Sequence, residues 1–252
     1  MLNISIINGN LKNDKIDTDM SIQEMTKRIE LGEVIIVRNT FSKEKLYEVR
    51  RKVHRFGVST PEKNPPRSAQ TECFHRVDNN HPLMIVKRIA HFFRFSYEHQ
   101  GDEGVFEFMH PINILRNQVA GLDEKYTFWE DWNGYLSQPA MLHYPAGGGY
   151  LANHVDPLHP QRVELVLAMS QRGEDFKSGG IQIQDGDKWV DLESSIQFGD
   201  IVMFRPDVPH QVLPIDQDSQ LDLQSETGRW IMFSPIANIY NNTVNGKQIS
   251  RY

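Results

Sequence analysis

The chain has 252 residues, 39% of them hydrophobic, which is enough for one large domain with a sizeable core. A formal net charge of -6 and an isoelectric point of about 5.9 argue against a nucleic-acid partner. Cys73 is the only cysteine, which excludes an intrachain disulfide and fits a reducing compartment. Residues 1–15 lack the apolar core of a signal peptide, and no apolar run approaches the roughly 18 residues of a membrane span. We therefore expect a cytoplasmic protein that does not associate with a membrane.

The first half of the chain is predicted to supply helices. Residues 1–8 alternate enough for a short edge strand. A capping box at residues 21–24 predicts a helix that ends near Gly32, and the β-branched run after it, 32–37, predicts a buried strand. A second helix is predicted from Ser42 to Gly57, with an apolar stripe along one side. This half would support a strand-rich second half.

Four further segments precede residue 138. Residues 58–80 are Pro-rich and polar without a period, so we expect a long loop that serves as a lid or faces the substrate. A helix is predicted over residues 81–98 from the spacing of Leu83, Val86, Ile89, Phe92 and Phe93. Residues 103–119 fit a strand or a helix. The aromatics of residues 126–132 could wall a substrate pocket or belong to the core.

The second half has the pattern of a regular series of short strands. Gly, Pro and Asp turns separate eight candidates, at 139–144, 149–156, 163–169, 180–184, 188–192, 201–205, 210–213 and 229–234. This spacing predicts a mainly β fold, a jelly roll or double-stranded β-helix, and the predicted helices are concentrated in the first half. We expect a single domain over residues 1–252: a helical support and lid region at 1–137, the β-helix core at 138–236 and a tail at 237–252.

Three side chains within this series suggest a metal site. His154 and Asp156 are two positions apart, so on a strand they point to the same side and can bind one ion together. His210 follows a Pro-flanked turn between two predicted strands and can supply a third ligand. Two imidazoles and one carboxylate suit a redox-active divalent iron, and three ligands on one face leave the other face open for chemistry.

The order of motifs around these residues strengthens the hypothesis. HYPAGGGYLANHVD is followed by SGGIQIQ, then by FGDIVMFRPDVPHQV and GRWIMFSP. Over roughly residues 140 to 236 this resembles the iron(II)- and 2-oxoglutarate-dependent dioxygenases, most closely the prolyl-4-hydroxylase-like branch. The resemblance implies the same β-helix with helices packed on its outer sheet, mostly from the N-terminal half, and it implies that His154, Asp156 and His210 are the iron ligands. It also implies that Arg229 holds the distal carboxylate of 2-oxoglutarate and that Tyr144 contacts the same co-substrate.

The resemblance further implies the reaction. Iron(II), 2-oxoglutarate and O2 would hydroxylate an unactivated C–H bond with release of succinate and CO2, and ascorbate would help in vitro. A carboxylate at position 156 favours hydroxylation over halogenation, since it occupies the site where halide would bind. Desaturation, epimerisation and ring closure stay open.

The sequence departs from the family pattern in two places. Nineteen positions separate His210 from Arg229, more than in the family, so the polar segment 214–228 is interpreted as an inserted loop. Met169 stands where some relatives have a tyrosine, so one co-substrate contact is expected to be missing or replaced. Ser234 could add a hydroxyl to the carboxylate, although its spacing from Arg229 puts it on the opposite face of a strand.

The substrate is the least constrained part of the prediction. We favour a small polar metabolite such as an amino acid, which the charged residues Arg162, Glu164 and Arg205 could hold, although for each residue taken individually a surface role is favoured over ligand binding. The alternatives are a protein or peptide side chain of the prolyl type, or a non-catalytic cupin-type metal-binding protein. Arg229 argues against the last, because a cupin needs no guanidinium near its metal.

Overall fold

The helices lie in the first half of the chain. A computed structural model describes residues 2–65, 71–80, 84, 86–96, 104–127, 132, 134–238, 243–244 and 247–248. Its α-helices are Ile22–Glu30 (α1), Lys43–Ser59 (α2) and Phe106–Val119 (α3). The predicted caps form, because the hydroxyls of Ser21 and Ser42 accept hydrogen bonds from the third backbone N–H that follows each. Among the described residues no helix combines the length and apolar character that crossing a bilayer requires.

Most strands of the described residues join one mixed sheet. The strands are Ile4–Lys12 (β1), Lys15–Thr18 (β2), Val34–Arg38 (β3), Phe74–Asn79 (β4), Arg88–Arg94 (β5), Tyr135–Ser137 (β6), Ala140–Pro145 (β7), Gly149–His154 (β8), Glu164–Ala168 (β9), Gly180–Asp185 (β10), Lys188–Asp191 (β11), Ile201–Phe204 (β12), His210–Ile215 (β13), Gly228–Phe233 (β14), Ile236–Asn238 (β15), Thr243–Val244 (β16) and Lys247–Gln248 (β17). Within the described residues the sheet contains thirteen strands in the order β11-β10-β13-β8-β5-β7-β14-β9-β12-β3-β1-β2, with β4 paired to β5. All eight strands predicted between residues 138 and 234 are therefore confirmed, with shifted ends.

The sheet folds over itself around a cavity. Strands far apart in the sheet order, β10 and β13 on one side and β14 and β9 on the other, contribute side chains to the same space. Met141, Leu167 and Trp230 point to the other face of the sheet, where they pack with Met25, Val53 and Met109 of the three helices. This is the predicted jelly roll, with helices against its outer face.

Two predictions for the first half were wrong. Residues 88–94 form strand β5, not part of a helix over 81–98; Leu83 and several neighbours lie outside the described residues. Phe92 faces the interior and Phe93 packs against the helices, so the strand is buried on both faces and its apolar residues match a helical spacing by chance. The predicted loop 58–80 contains strand β4, which pairs with β5 and buries His75. Residues 103–119, which fitted either element, form helix α3.

The inserted segment between β13 and β14 is attached to helix α2. The Nε of Arg50 donates to a carboxylate oxygen of Glu226 at 3.1 Å, and Nε2 of His54 is 2.9 Å from the carbonyl oxygen of Gln224. The indole of Trp230 donates to the carbonyl oxygen of Glu226 at 2.8 Å. These contacts account for the long spacing between His210 and Arg229, because the chain leaves the sheet, reaches the helix and returns.

Candidate metal centre and its cavity

Three elements bring the predicted ligands together. His154 is the last residue of β8 and His210 is the first of β13, and the two are direct partners across these antiparallel strands. Asp156 lies just beyond β8, where its backbone N–H donates to the carbonyl oxygen of Pro206 at 2.9 Å. The Pro-flanked turn before His210 therefore also fixes the segment that carries the carboxylate.

The three ligand atoms face one point. Oδ2 of Asp156 lies 3.5 Å from Nε2 of His154 and 3.4 Å from Nε2 of His210. The imidazole rings are 4.2 Å apart at their centroids and tilted by 54°. One ligand atom from each of the three residues lies within 4.8 Å of the other two, which fits a group of donors around a single ion.

Both imidazoles are held in the same tautomer. Nδ1 of His154 lies 2.9 Å from the carbonyl oxygen of Ala152, and Nδ1 of His210 lies 2.9 Å from that of Val208. A carbonyl oxygen only accepts, so each Nδ1 carries the proton and each Nε2 keeps a lone pair. That lone pair points toward Asp156 and is available to a metal.

The surroundings keep Asp156 ionised. Burial acts to raise the pKa of its carboxyl, but the neighbouring His154 and His210 outweigh burial, and the pKa is lowered. An ionised carboxylate beside two imidazole lone pairs is a donor set for a divalent cation.

The triad opens into a cavity of about 440 Å³ between the two halves of the sheet. Most of its wall is apolar. The lining residues are Val86, Arg88, Leu142, Tyr144, Leu151, Asn153, His154, Val155, Asp156, Pro157, Glu164, Val166, Ile181, Phe204, His210, Val212, Arg229, Ile231 and Phe233. The volume is that of a small-molecule site, and the few polar groups set the orientation of whatever binds.

Arg229 reaches this cavity but already has one ionic partner. Its Nε donates to Oε2 of Glu193 at 2.7 Å, and both side chains are almost fully buried. The same Glu193 oxygen accepts the backbone N–H of Ile181 at 2.9 Å. The contact occupies Nε, so the two terminal nitrogens are the part of the guanidinium with which Arg229 can grip a carboxylate in the cavity.

Gly180 makes room for this ion pair. A Cβ at this position would lie 2.5 to 2.8 Å from atoms of the Glu193 side chain, and the backbone φ is +115°. Only glycine adopts this conformation easily and leaves that space. A glycine is therefore required at the second position of the Ser-Gly-Gly motif, because a larger residue would displace the Glu193 side chain that pairs with Arg229.

Tyr144 lies next to Arg229. The two residues pair across β7 and β14, and the guanidinium carbon is 5.8 Å from the centroid of the phenol ring. Burial raises the pKa of Tyr144 to about 12, with Arg229 and Arg88 opposing the shift and Asp156 and Glu164 adding to it. The phenol therefore stays protonated and can donate a hydrogen bond into the cavity.

Two of the three charged substrate candidates lie away from the cavity. Arg162 donates to the carbonyl oxygen of Ala120, and Arg205 pairs with Asp207 near the surface. Only Glu164 lines the cavity. Of these three residues, Glu164 alone therefore remains a candidate for substrate binding.

The remaining candidates from the sequence also lie elsewhere. Ser234 shares a hydrogen bond of 2.7 Å with Ser137, and Met169 packs in the core under the helices. Tyr126 and Trp132 pack edge to face at 5.0 Å outside the cavity wall. Residues 128–131 of the same aromatic segment lie outside the described part of the chain.

Sequence reasoning missed two charged residues of the site. Arg88 lines the cavity and donates through Nε to Asp78 at 2.7 Å, but it belongs to the segment predicted as a helix. Glu193 lies in a single 3₁₀ turn, Glu193–Ser195, and carries no motif of its own. The one available signal was the Gly-Gly at 179–180, which predicts a close approach by some neighbour without naming it.

No protein-family model and no curated protein sequence matches the chain. Solved structures do match its fold. A prolyl hydroxylase of Trichoplax adhaerens, solved with a peptide of the oxygen degradation domain of hypoxia inducible factor, has a TM-score of 0.54 at 14% identity over 86% of this chain and 89% of that one. A Pseudomonas putida prolyl-4-hydroxylase has a TM-score of 0.51 at 15% identity, over 85% and 97%. A full-length Neurospora crassa protein, solved in complex with alpha-KG, has a TM-score of 0.52 at 12% identity, over 84% and 76%.

Proposed function

We propose that the protein is an iron(II)- and 2-oxoglutarate-dependent oxygenase that hydroxylates a small polar metabolite such as an amino acid. The observation that carries the proposal is the convergence of His154, Asp156 and His210 at one wall of a cavity that also contains Arg229. The fold shared with solved prolyl hydroxylases supports it. A non-catalytic cupin-type protein is disfavoured, since a buried guanidinium in the cavity has no use there.

The donor set fits iron(II). Two neutral imidazoles and one carboxylate on a single side are the facial arrangement of non-haem iron oxygenases, and the tautomers place both lone pairs correctly. When bound, iron and 2-oxoglutarate supply oxidative decarboxylation coupled to hydroxylation of a C–H bond, with succinate and CO2 as products.

The chain's own residues would bind and orient 2-oxoglutarate and keep water out of the cavity. Arg229, aligned by Glu193, would hold the distal carboxylate of 2-oxoglutarate through its terminal nitrogens. Tyr144, protonated and adjacent, would donate to the same carboxylate. Apolar walls such as Leu142, Ile231 and Val212 would exclude water from the reaction space.

A protein or peptide side chain is the second candidate. It is favoured by one finding, the Trichoplax adhaerens structure solved with a peptide of hypoxia inducible factor. The small-molecule candidate is favoured by the cavity, whose volume of about 440 Å³ suits a small ligand and whose wall comes from both halves of the sheet. An activity screen with both substrate classes separates the two candidates.

The test is succinate formation by the purified protein with iron(II), ascorbate and 2-oxoglutarate. Free L-amino acids and prolyl peptides are offered in parallel. We expect a free amino acid to increase succinate above the substrate-free rate. Asp156→Ala should abolish it, because two imidazoles alone hold iron(II) weakly. Asp187→Ala, which removes an exposed carboxylate in the turn after β10, should leave it unchanged. Absence of succinate in every mixture would overturn the proposal.

A further inference from the structure

One carboxyl group in the cavity has no part in the chemistry described so far. Glu164 is the first residue of β9, is only 7% exposed and lines the cavity together with Asp156. It follows the loop that leads from Asp156 into the sheet and pairs with Phe204 on β12. Its side chain therefore faces the same space as the metal ligands.

The hydrogen-bond partner of Glu164 is a neutral amide. Its Oε2 accepts a hydrogen bond from the amide nitrogen of Gln161, and the oxygen of that amide accepts the backbone N–H of Ile236 at 2.9 Å. Gln161 is thus fixed as a neutral donor. Within the described part of the chain, no Lys, Arg or His forms an ion pair with Glu164. The guanidinium of Arg116 donates to the amide oxygen of Asn117 and the carbonyl oxygen of Ser234.

A buried carboxyl without a cation is unfavourable in its charged form. Burial raises the pKa of Glu164 well above its usual value, and Asp156 adds to this, while Gln161 and Arg116 oppose it. A ligand that brings a positive charge to Oε1 or Oε2 would remove the imbalance. Since Gln161 uses one oxygen, the other can accept from an ammonium group in the cavity.

We infer that Glu164 is a specificity residue that binds the amino group of the substrate. The inference rests on the proposed function, which it narrows to substrates that carry a primary ammonium. The other cations of the cavity agree, because Arg229 is assigned to the carboxylate of 2-oxoglutarate, and Arg88 repels an ammonium from its own position and favours the substrate's carboxylate there. An α-amino acid, with one group of each sign, matches this distribution.

The experiment compares binding of matched ligand pairs. Each of a panel of free L-amino acids is paired with the carboxylic acid that has hydrogen in place of the ammonium. Binding is followed by ligand-observed NMR to the metal-free protein and to the zinc(II)-loaded protein with 2-oxoglutarate, so that no turnover is needed. We expect the wild-type protein to bind at least one amino acid about tenfold more tightly than its partner acid.

Glu164→Gln keeps the shape of the side chain and the hydrogen bond from Gln161 but removes the charge. The ratio of amino acid affinity to partner acid affinity should therefore fall about tenfold. Glu174→Gln removes one charge from an exposed position and should keep it. Glu164→Ala is measured in case the amide variant does not fold, with circular dichroism as the check on both.

Two results would overturn the inference: equal binding of both members of every pair by the wild-type protein, including no binding of either, or a preference that survives in the Glu164 variants. Failure of the proposed function is separate. In that case the amino acid preference is present and depends on Glu164, but no succinate forms with iron(II).

Discussion

Arg229 and Glu193 show how the cavity combines charge with burial. Breaking a buried ion pair leaves an uncompensated charge, so the pair is a fixed unit and not an adjustable surface contact. Glu193 accepts from both Arg229 and the backbone of Ile181. The orientation of the guanidinium is therefore set before any ligand arrives, and less conformational entropy is lost when a carboxylate binds.

Among the kinetic parameters, substitution of Arg229 should act mainly on the co-substrate, and it should also lower the free energy of unfolding because the buried Glu193 loses its partner. Arg229→Ala should raise the 2-oxoglutarate concentration needed for half-maximal succinate formation by about tenfold or more, because the carboxylate loses a two-pronged partner. Arg229→Lys, which keeps the charge but not the planar fork, should recover only part of the affinity. An unchanged apparent affinity in Arg229→Ala would remove this residue from the co-substrate site.

At the residue scale, sequence reasoning works where the spacing is local. His154 and Asp156 could be placed together because two positions on a strand share a side. The positions of Arg229 and Tyr144 came from the resemblance and stay a prediction in their roles. Glu193 and Arg88 could not be found, since their approach to the cavity depends on how distant strands fold over one another.

At the level of elements, the short strands of the second half could be predicted from the sequence and strand β5 could not. Strands of the second half are short and are separated by turn residues, so their positions were predictable. Strand β5 was not, because it is covered by helices on one face and by the interior on the other. A strand that is buried on both faces has no alternation to detect.

A substitution in the Ser-Gly-Gly turn should affect both the stability of the fold and the binding of 2-oxoglutarate. Gly180→Ala puts a methyl group against Glu193 at a backbone φ of +115°, so strand β10 must shift or the ion pair must break. We expect a loss of about 2 kcal/mol or more in the free energy of unfolding, together with weaker 2-oxoglutarate binding. Urea denaturation and the succinate assay measure the two effects.

Gly186→Ala is the matched control for Gly180→Ala. It also has a positive φ, +59°, but nothing lies within 4 Å of its Cβ position. It should lose stability from backbone strain alone and keep its 2-oxoglutarate affinity. If Gly180→Ala behaves like this control, the close packing against Glu193 has no influence on the site.

For the whole molecule, buried imidazoles lie where the sheet meets helix α2 and the inserted segment. Nδ1 of His75 is 2.9 Å from Nε2 of His91, and His143 stacks on Trp230 at 4.2 Å. His143 Nε2 is 3.0 Å from the carbonyl oxygen of Thr227 at the end of the insert. Nδ1 of both His91 and His143 is buried without a hydrogen-bond partner in the described residues. A proton added to either Nδ1 would create a buried positive charge, and the new N–H would have no hydrogen-bond acceptor among the described residues.

This arrangement predicts how stability depends on pH. Burial, aided by neighbouring histidines, lowers the pKa of His91 to about 3, and burial outweighs the Thr227 contact to lower that of His143 to about 3. In the unfolded chain a histidine has a pKa of about 6.5. Below that pH the unfolded state therefore binds more protons than the folded state. The contribution to stability is complete above about pH 6.5 and is lost as the pH falls toward the folded pKa, at about 1.4 kcal/mol per pH unit for each histidine.

Urea denaturation at about pH 7, 6 and 5 measures this dependence. His143→Phe keeps the stack on Trp230 and removes one titrating group, so the variant should start less stable, because Thr227 loses a donor, but lose less on acidification than the wild-type protein. The difference in slope should be about 1.4 kcal/mol per pH unit between pH 6 and 5. His159→Gln changes an exposed histidine and should keep the wild-type slope. Parallel curves for His143→Phe and the wild-type protein would show that this buried imidazole is not what makes the fold sensitive to acid.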